Sequence, residues 1–252
     1  MVEGPPGTRL SLGLYLGSAF QHSPSLLARG GWDTRSSRLN GRLQETGSPE
    51  LARRVFVCGT QRLSAPPDPV PLRRLSNLLF VGSFPFAHSP NEHAVSWFLD
   101  NVFPGVARQL ACTFRIVGRA PEGLQRRASA SVEFAGFVPD LEPEYDSHRI
   151  FVVLNQFSAG IPLKLVEAMS RGMPAVESEL TARQLGLVDG DAVLIGHTPE
   201  EFAHKIASLY GDPALWRRVR EGGLRYVAER CDPEKLKAAF RDLLARAATR
   251  LD

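Results

Sequence analysis

Short apolar segments recur from residue 78 onward, and they alternate with segments whose apolar residues have helical spacing. The apolar segments are residues 78–82, 114–118, 132–136, 150–154 and 174–178, and the first three of them end in glycine. The intervening segment 91–102 places Ala94, Val95, Phe98 and Val102 at the spacing of a buried helix face. Such alternation favours βα units. We therefore predict an α/β fold, a Rossmann-like doubly wound parallel sheet that binds ligands beyond the carboxyl ends of its strands.

The end of the chain is predicted to be helical. Residues 199–210 carry Phe202, Ile206 and Leu209 on one helix face. Asp212-Pro213 and Asp232-Pro233 each combine an acidic N-cap with proline in the first turn, a common helix start. The second of these starts is followed by an apolar stripe formed by Leu236, Phe240 and Leu243. We expect these helices to complete the domain.

The first 76 residues have a different character. They contain ten arginines and five acidic residues, a net of about +5, whereas the whole chain has a formal net charge of +3. Arginine with proline and serine marks a solvated, poorly ordered segment more often than an arm for nucleic acid or anionic membrane. Only residues 54–59 favour a strand, and 64–71 form a proline-containing connector. We predict an irregular or truncated N-terminal segment and linker over 1–76, and the Rossmann-like domain with C-terminal helices over 77–252.

Cysteine usage and hydropathy indicate the compartment. The three cysteines, Cys58, Cys112 and Cys231, lie far apart and lack metal-ligand spacing, which favours reduced thiols in the cytoplasm. The mildly apolar segment 10–20 is interrupted by glycine and serine, and it fits neither a signal peptide nor a spanning helix. We expect a cytoplasmic chain with no transmembrane segment and no nucleic-acid partner. Peripheral location at the inner membrane face is the alternative.

Residues 157–176 combine a glycine-containing loop, a two-turn helix and a buried strand. Gly160 before the helix would let backbone N–H groups approach an anion, and the helix dipole adds roughly half a positive charge there. Lys164 and Glu167 are three residues apart and therefore share one helix face. A cation and an acid beside a helix N-terminus suit a nucleotide diphosphate and its ribose.

The same segment resembles the donor-binding motif of the group 1 glycosyltransferases, a retaining family with the two-domain GT-B fold. The resemblance is carried by Ala159-Gly160, Lys164, Glu167, Ala168-Met169, Gly172, Pro174 and Val176. It implies that residues from about 78 to 246 form the C-terminal, donor-binding half of such a fold. It also implies a hexosyltransferase type of reaction, with a sugar transferred from a nucleotide-diphosphate-sugar donor to a glycan, lipid or other hydroxyl acceptor with retention.

The resemblance also implies roles for single residues. Glu167 would accept hydrogen bonds from ribose hydroxyls, Lys164 would offset the diphosphate charge, and the Gly160 loop would cradle the phosphates. Four other positions match donor contacts of the family, namely Ser83, Asn91, Arg119 and Val138. No catalytic residue can be assigned, and no metal or cofactor is expected because helix dipole and basic side chains stabilise the leaving group.

Structural alternatives exist for several of these residues. Ser89-Pro90-Asn91 is also a common helix cap, so Asn91 and the neighbouring Ser83 need not touch a ligand. Arg119 alone is more often a surface residue, and Glu167 could simply pair with Arg171 four residues later. These alternatives remain open at the level of sequence.

Two departures from the family pattern define competing hypotheses. Ala159 stands where the family has a glutamate that contacts the donor sugar, and the first 60 to 70 residues are too few for an acceptor-binding domain. The chain could therefore be a truncated or degenerate, non-catalytic nucleotide-sugar-binding domain. It could also be one half of a split enzyme completed by a separate acceptor-domain chain, or an unrelated doubly wound binding domain.

Overall fold

A parallel β-sheet forms the centre of the structure. The structure is a computed structural model that describes residues 75–154, 163–231, 238 and 241–242. Within these residues the strands are β1 Ser76–Val81, β2 Phe114–Val117, β3 Val132–Gly136, β4 His148–Val153, β5 Ala175–Ser178 and β6 Leu194–Gly196. All neighbouring strands pair in parallel, in the order β3-β2-β1-β4-β5-β6.

The strand order places a switch point beside β1. Leu78 of β1 lies opposite Phe114 of β2 on one side and Ile150 of β4 on the other. The chain therefore builds outward from β1 first in one direction and then in the other, which is the order of doubly wound dinucleotide-binding sheets. Ligands of such sheets bind in the crevice beyond the strand ends at this point. The predicted fold class is confirmed.

Helices connect the strands. They are α1 Pro90–Trp97, α2 Phe103–Gln109, α3 Glu122–Gln125, α4 Glu142–Ser147, α5 Leu163–Ser170, α6 Glu179–Leu185, α7 Pro199–Gly211 and α8 Pro213–Arg230. One π-helical turn, Phe98–Val102, joins α1 to α2. Pro104 is the second residue after that turn. Because proline lacks an N–H and crowds the carbonyl four residues before it, a locally widened helix accommodates it.

Alternate strand residues face two separate cores. Leu78 and Phe80 of β1 belong to a first cluster with α1, the π-helical turn, α2 and α7, whereas Leu79 belongs to a second cluster with α4, α5 and α6. Such two-sided burial explains why the strands are predominantly apolar. The predicted core positions Ala94, Val95, Phe98 and Val102 are all fully buried, as are Ile206 and Leu209.

Most predicted elements agree with the structure within two residues. The sequence analysis did not predict β6, α4 or α6, and the helix predicted over 91–102 continues through the π-helical turn and α2 to Gln109. The predicted strand at 54–59, the connector at 64–71 and the helix after Asp232-Pro233 lie outside the described residues, except for isolated positions of that helix. The domain division near residue 76 therefore stays a prediction. No helix in the described part of the chain is both long and apolar enough to span a bilayer.

Candidate functional site

The carboxyl ends of β1, β2 and β3 carry three glycines that bring the backbone of neighbouring strands close together. The Gly82 N–H donates to the Val117 carbonyl at 3.0 Å, and the Gly118 N–H donates to the Gly136 carbonyl at 2.7 Å. Gly118 has a φ of 135° and Gly136 a φ of 69°, which side chains rarely adopt. A Cβ at Gly118 would overlap the Gly82 carbonyl oxygen. This edge is therefore lined by bare backbone.

Ser83 and Asn91 lie together beside the end of β1. The Asn91 side-chain amide donates to the Ser83 carbonyl at 2.7 Å, so Asn91 holds the loop that leaves the strand. Ser89, not Asn91, is the N-cap of α1, and its hydroxyl accepts from the Glu92 N–H at 3.4 Å. Ser83 itself is exposed. The structure thus gives Asn91 a positioning role, while direct ligand contact by either residue stays a prediction.

Arg119 and Val138 follow β2 and β3. The Arg119 guanidinium carbon lies 5.2 Å from the centre of the Phe137 ring, a cation–π arrangement, and the Phe137 side chain is 51% exposed. Val138 is partly buried against the second core cluster, the cluster that also contains α5. An exposed ring and guanidinium beside a small apolar side chain can hold a flat heterocycle. The placement of Arg119 and Val138 near a nucleobase stays a prediction.

Lys164 and Glu167 lie on α5, which begins at the carboxyl edge after β4. The Lys164 ammonium nitrogen is 3.0 Å from Oε2 of Glu167, and the two side chains are 45% and 26% exposed. The apolar face of α5 is buried in the second cluster through Leu165 and Met169. Packing therefore fixes the helix while it leaves this pair accessible to solvent.

Arg171 pairs with acids of α4, whereas the structural alternative from the sequence was a pair with Glu167. The Arg171 guanidinium contacts Oε2 of Glu142 at 3.3 Å and both carboxylate oxygens of Asp146, Oδ1 at 3.2 Å. Asp146 and Glu142 belong to α4, so Arg171 joins α4 to α5. Gly160 and Ala159 lie outside the described residues, and the predicted phosphate cradle stays a prediction.

Two buried polar residues near this edge were not predicted from the sequence. Tyr145 of α4 is 3% exposed, and burial together with the Glu167 carboxylate raises the pKa of its hydroxyl well above the ordinary value. Glu177 of β5 is fully buried, and burial raises the pKa of its carboxyl well above the ordinary value. A single acid within the apolar segment 174–178 was the available signal for Glu177. No sequence signal indicated Tyr145, because it is a single tyrosine in an acidic six-residue segment.

The described residues thus offer three kinds of group at one edge of the sheet. Bare backbone lies at the ends of β1 to β3, a cation and a carboxylate lie on α5, and an exposed ring lies after β3. Glycine lets a ligand approach the backbone closely, a lysine suits phosphate, a carboxylate suits hydroxyl donors, and a ring suits a planar base. The arrangement is chemically suited to a nucleotide.

Comparison with known proteins agrees with this assignment. Residues 76–212 match the family model described as "Glycosyl transferases group 1". The chain is 29% identical over 98 residues to a D-inositol 3-phosphate glycosyltransferase of Streptomyces bingchenggensis (strain BCW-1). That match covers 38% of this chain and 21% of the relative.

Solved structures share the fold at low sequence identity. TarM of S. aureus superimposes with a TM-score of 0.62 at 14% identity, over 74% of this chain and 38% of that one. The Anabaena protein HepE, in complex with UDP and glucose, superimposes with a TM-score of 0.55 at 17% identity, over 68% of this chain and 48% of that one. The chain therefore spans less than half the length of each of these three proteins.

Proposed function

Because the chain belongs to the group 1 glycosyltransferases, we propose that its described domain binds the nucleotide-diphosphate end of a sugar donor. The observation that carries the proposal is the Lys164–Glu167 pair, 3.0 Å apart and solvent-accessible on a helix that starts at the carboxyl edge of a doubly wound sheet. This is the edge at which such sheets bind nucleotides. The HepE structure, which contains UDP and glucose, supports the choice of ligand class.

Each group of the pair has a distinct task in this proposal. The Glu167 carboxylate accepts hydrogen bonds from ribose hydroxyls, because an ionised carboxylate accepts strongly and donates nothing. The Lys164 ammonium faces the diphosphate, on which negative charge grows as the sugar leaves. The N-terminus of α5 adds partial positive charge at the same place. These fixed charges take the role of a metal, so the proposed reaction uses no metal or cofactor.

The proposed reaction is transfer of a hexose from a nucleotide-diphosphate sugar to a hydroxyl acceptor, with retention at the anomeric carbon. Family membership supports transfer from an activated sugar. Retention and the hexose remain inferences from the resemblance of the motif. The acceptor is a glycan, a lipid or another hydroxyl compound. We propose that the reaction occurs in the cytoplasm or at the inner membrane face.

Calorimetric titration of the full chain with UDP, GDP and ADP tests the binding proposal. We expect one diphosphate to bind the wild type, and Glu167→Ala to weaken it about tenfold or more, since hydrogen bonds to charged groups contribute roughly 1.5 to 3 kcal/mol. Glu221→Ala is the matched control, because it removes an exposed acid from α8. Equal affinities of wild type and Glu167→Ala would overturn the site, and absence of binding by all three nucleotides would overturn the function.

A further inference from the structure

Tyr145 is a buried phenol in a position that its own packing does not explain. Its ring lies against Phe151 of β4, with centroids 5.9 Å apart and planes at 60°. The ring thus contributes to the second core cluster. The hydroxyl oxygen, however, is buried without a hydrogen bond of normal geometry among the described residues. A buried hydroxyl without a partner is costly, so a nearby acceptor is expected for it.

Glu167 is the acid that influences the pKa of this hydroxyl. Burial is the larger cause of the raised pKa of Tyr145, and the charge and hydrogen-bonding capacity of the Glu167 carboxylate are the others. The phenol therefore stays protonated at neutral pH and has a proton to donate. The Glu167 carboxylate can accept this hydrogen bond, because an ionised carboxylate is an acceptor only.

The helices that carry the two residues are joined next to them. Arg171 lies one turn after Glu167, directly after the end of α5, and its partner Asp146 directly follows Tyr145 on α4. The Arg171 side chain is only 10% exposed. This charged contact fixes the two helices relative to each other, so Tyr145 and Glu167 stay side by side.

We propose that Tyr145 is a positioning residue, whose hydroxyl donates a hydrogen bond to the Glu167 carboxylate and orients it toward the ribose hydroxyls of a nucleoside diphosphate. The inference rests on the proposed function, because it assigns the support for a carboxylate already assigned to the ribose. Lys164 holds Oε2 of Glu167 from the solvent side, and Tyr145 contributes a second donor from the core. A carboxylate fixed by two donors loses less conformational freedom when the nucleotide binds.

The test compares a nucleotide that has ribose hydroxyls with one that lacks them. The probe is UDP and its 2′,3′-dideoxy analogue, replaced by the GDP or ADP pair if the wild-type chain binds one of those instead. We expect Tyr145→Phe in the full chain to weaken UDP roughly three- to tenfold. The dideoxy analogue should bind the variant and the wild type equally well. In a Glu167→Ala background, Tyr145→Phe should have no further effect on UDP.

The control variant is Tyr226→Phe, which removes a tyrosine hydroxyl that donates to the Leu185 carbonyl at 2.8 Å on the second core cluster. It should leave the ratio of the two affinities unchanged. The Tyr145→Phe substitution keeps the buried ring, so the variant should still fold. An experimental structure of the wild-type nucleotide complex gives a second measurement, the distance from the Tyr145 hydroxyl to the Glu167 carboxylate.

The outcomes separate the two proposals. If Tyr145→Phe weakens both nucleotides alike, or neither, or if the complex shows no such hydrogen bond, Tyr145 has no positioning role. If Glu167→Ala also leaves binding unchanged, or if the wild-type chain binds no diphosphate, the proposed function itself fails. Weakening of UDP alone by Tyr145→Phe, abolished in the Glu167→Ala background, supports the inference.

Discussion

Replacing Glu177 by glutamine should make the domain more stable at neutral pH and change how its stability depends on pH. The Glu177 side chain is fully buried at the carboxyl end of β5, between Val153 of β4 and Ile195 of β6. Neither carboxylate oxygen has a hydrogen-bond partner among the described residues. Burial without a partner disfavours the charged form, and this raises the pKa of Glu177 well above its ordinary value of 4.5.

The direction of the pH effect follows from proton binding. At pH values above 4.5 the unfolded chain has released this proton, while the folded chain still holds it. The folded state then binds more protons, so the free energy of unfolding falls as pH rises toward the raised pKa. The contribution of Glu177 to stability is therefore fully present only below the ordinary pKa. The loss amounts to about 1.4 kcal/mol per pH unit.

The measurement is urea unfolding of wild type, Glu177→Gln and Glu200→Gln at several pH values between about 5 and 7. Glu200 is exposed on α7, so its replacement makes the same chemical change in solvent. Relative to wild type, Glu177→Gln should gain up to about 1.4 kcal/mol per pH unit, whereas Glu200→Gln should run parallel to wild type. Parallel curves for wild type and Glu177→Gln would refute the argument that Glu177 is protonated in the fold. Differences between curves also cancel the contributions of other acids.

Three further substitutions test the packing around the site, each by urea unfolding. Gly118→Ala should cost several kcal/mol because the new Cβ meets backbone, whereas Gly190→Ala, where φ is also positive but space is open, should cost only about 1 to 2 kcal/mol. Arg171→Ala should cost about 2 to 3 kcal/mol by leaving acids of α4 unpaired, against less than about 1 kcal/mol for the exposed pair of Arg183. Asp212→Ala should cost about 1 kcal/mol by removing the cap of α8, which accepts from two backbone N–H groups, while Asp212→Asn should be nearly neutral. Equal losses within any pair would contradict the corresponding contact.

The parallel sheet could be predicted because both of its faces are covered. Buried parallel strands are apolar along most of their length, so five of them were visible as predominantly apolar segments. The edge strand β6 follows the same pattern, with Val193, Leu194 and Ile195 before Gly196, and consistent use of the rule would have found it. Helix α4 could not be found in this way, because only Tyr145 of its six residues is buried and one residue has no period.

The candidate site was predictable where its parts are close in sequence. Lys164 and Glu167 are three residues apart on one helix, so the spacing alone predicted that they share a helix face, and in the structure the two side chains are in contact. The proposed role of Tyr145 depends on how α4 is joined to α5 through Arg171 and Asp146, and no local pattern encodes that packing. The burial of Glu177 could not be predicted from the sequence pattern. Because both faces of the sheet are covered, neither of the alternating positions of β5 faces water, and the position of an acid in the strand does not show whether it is exposed.

The glycines at the ends of β1 and β2 mark the boundary between positions that the fold requires and positions that can vary. Side chains are excluded at Gly118 by the neighbouring carbonyl and crowded at Gly82 by the Phe80 ring. The first positions free to vary are the next ones in each loop, Ser83 and Arg119, both exposed. A combinatorial library confined to these two positions should therefore retain folded members of many sequences. Under the proposed function, selecting such a library for binding of a different base would leave the sheet beneath the site unchanged.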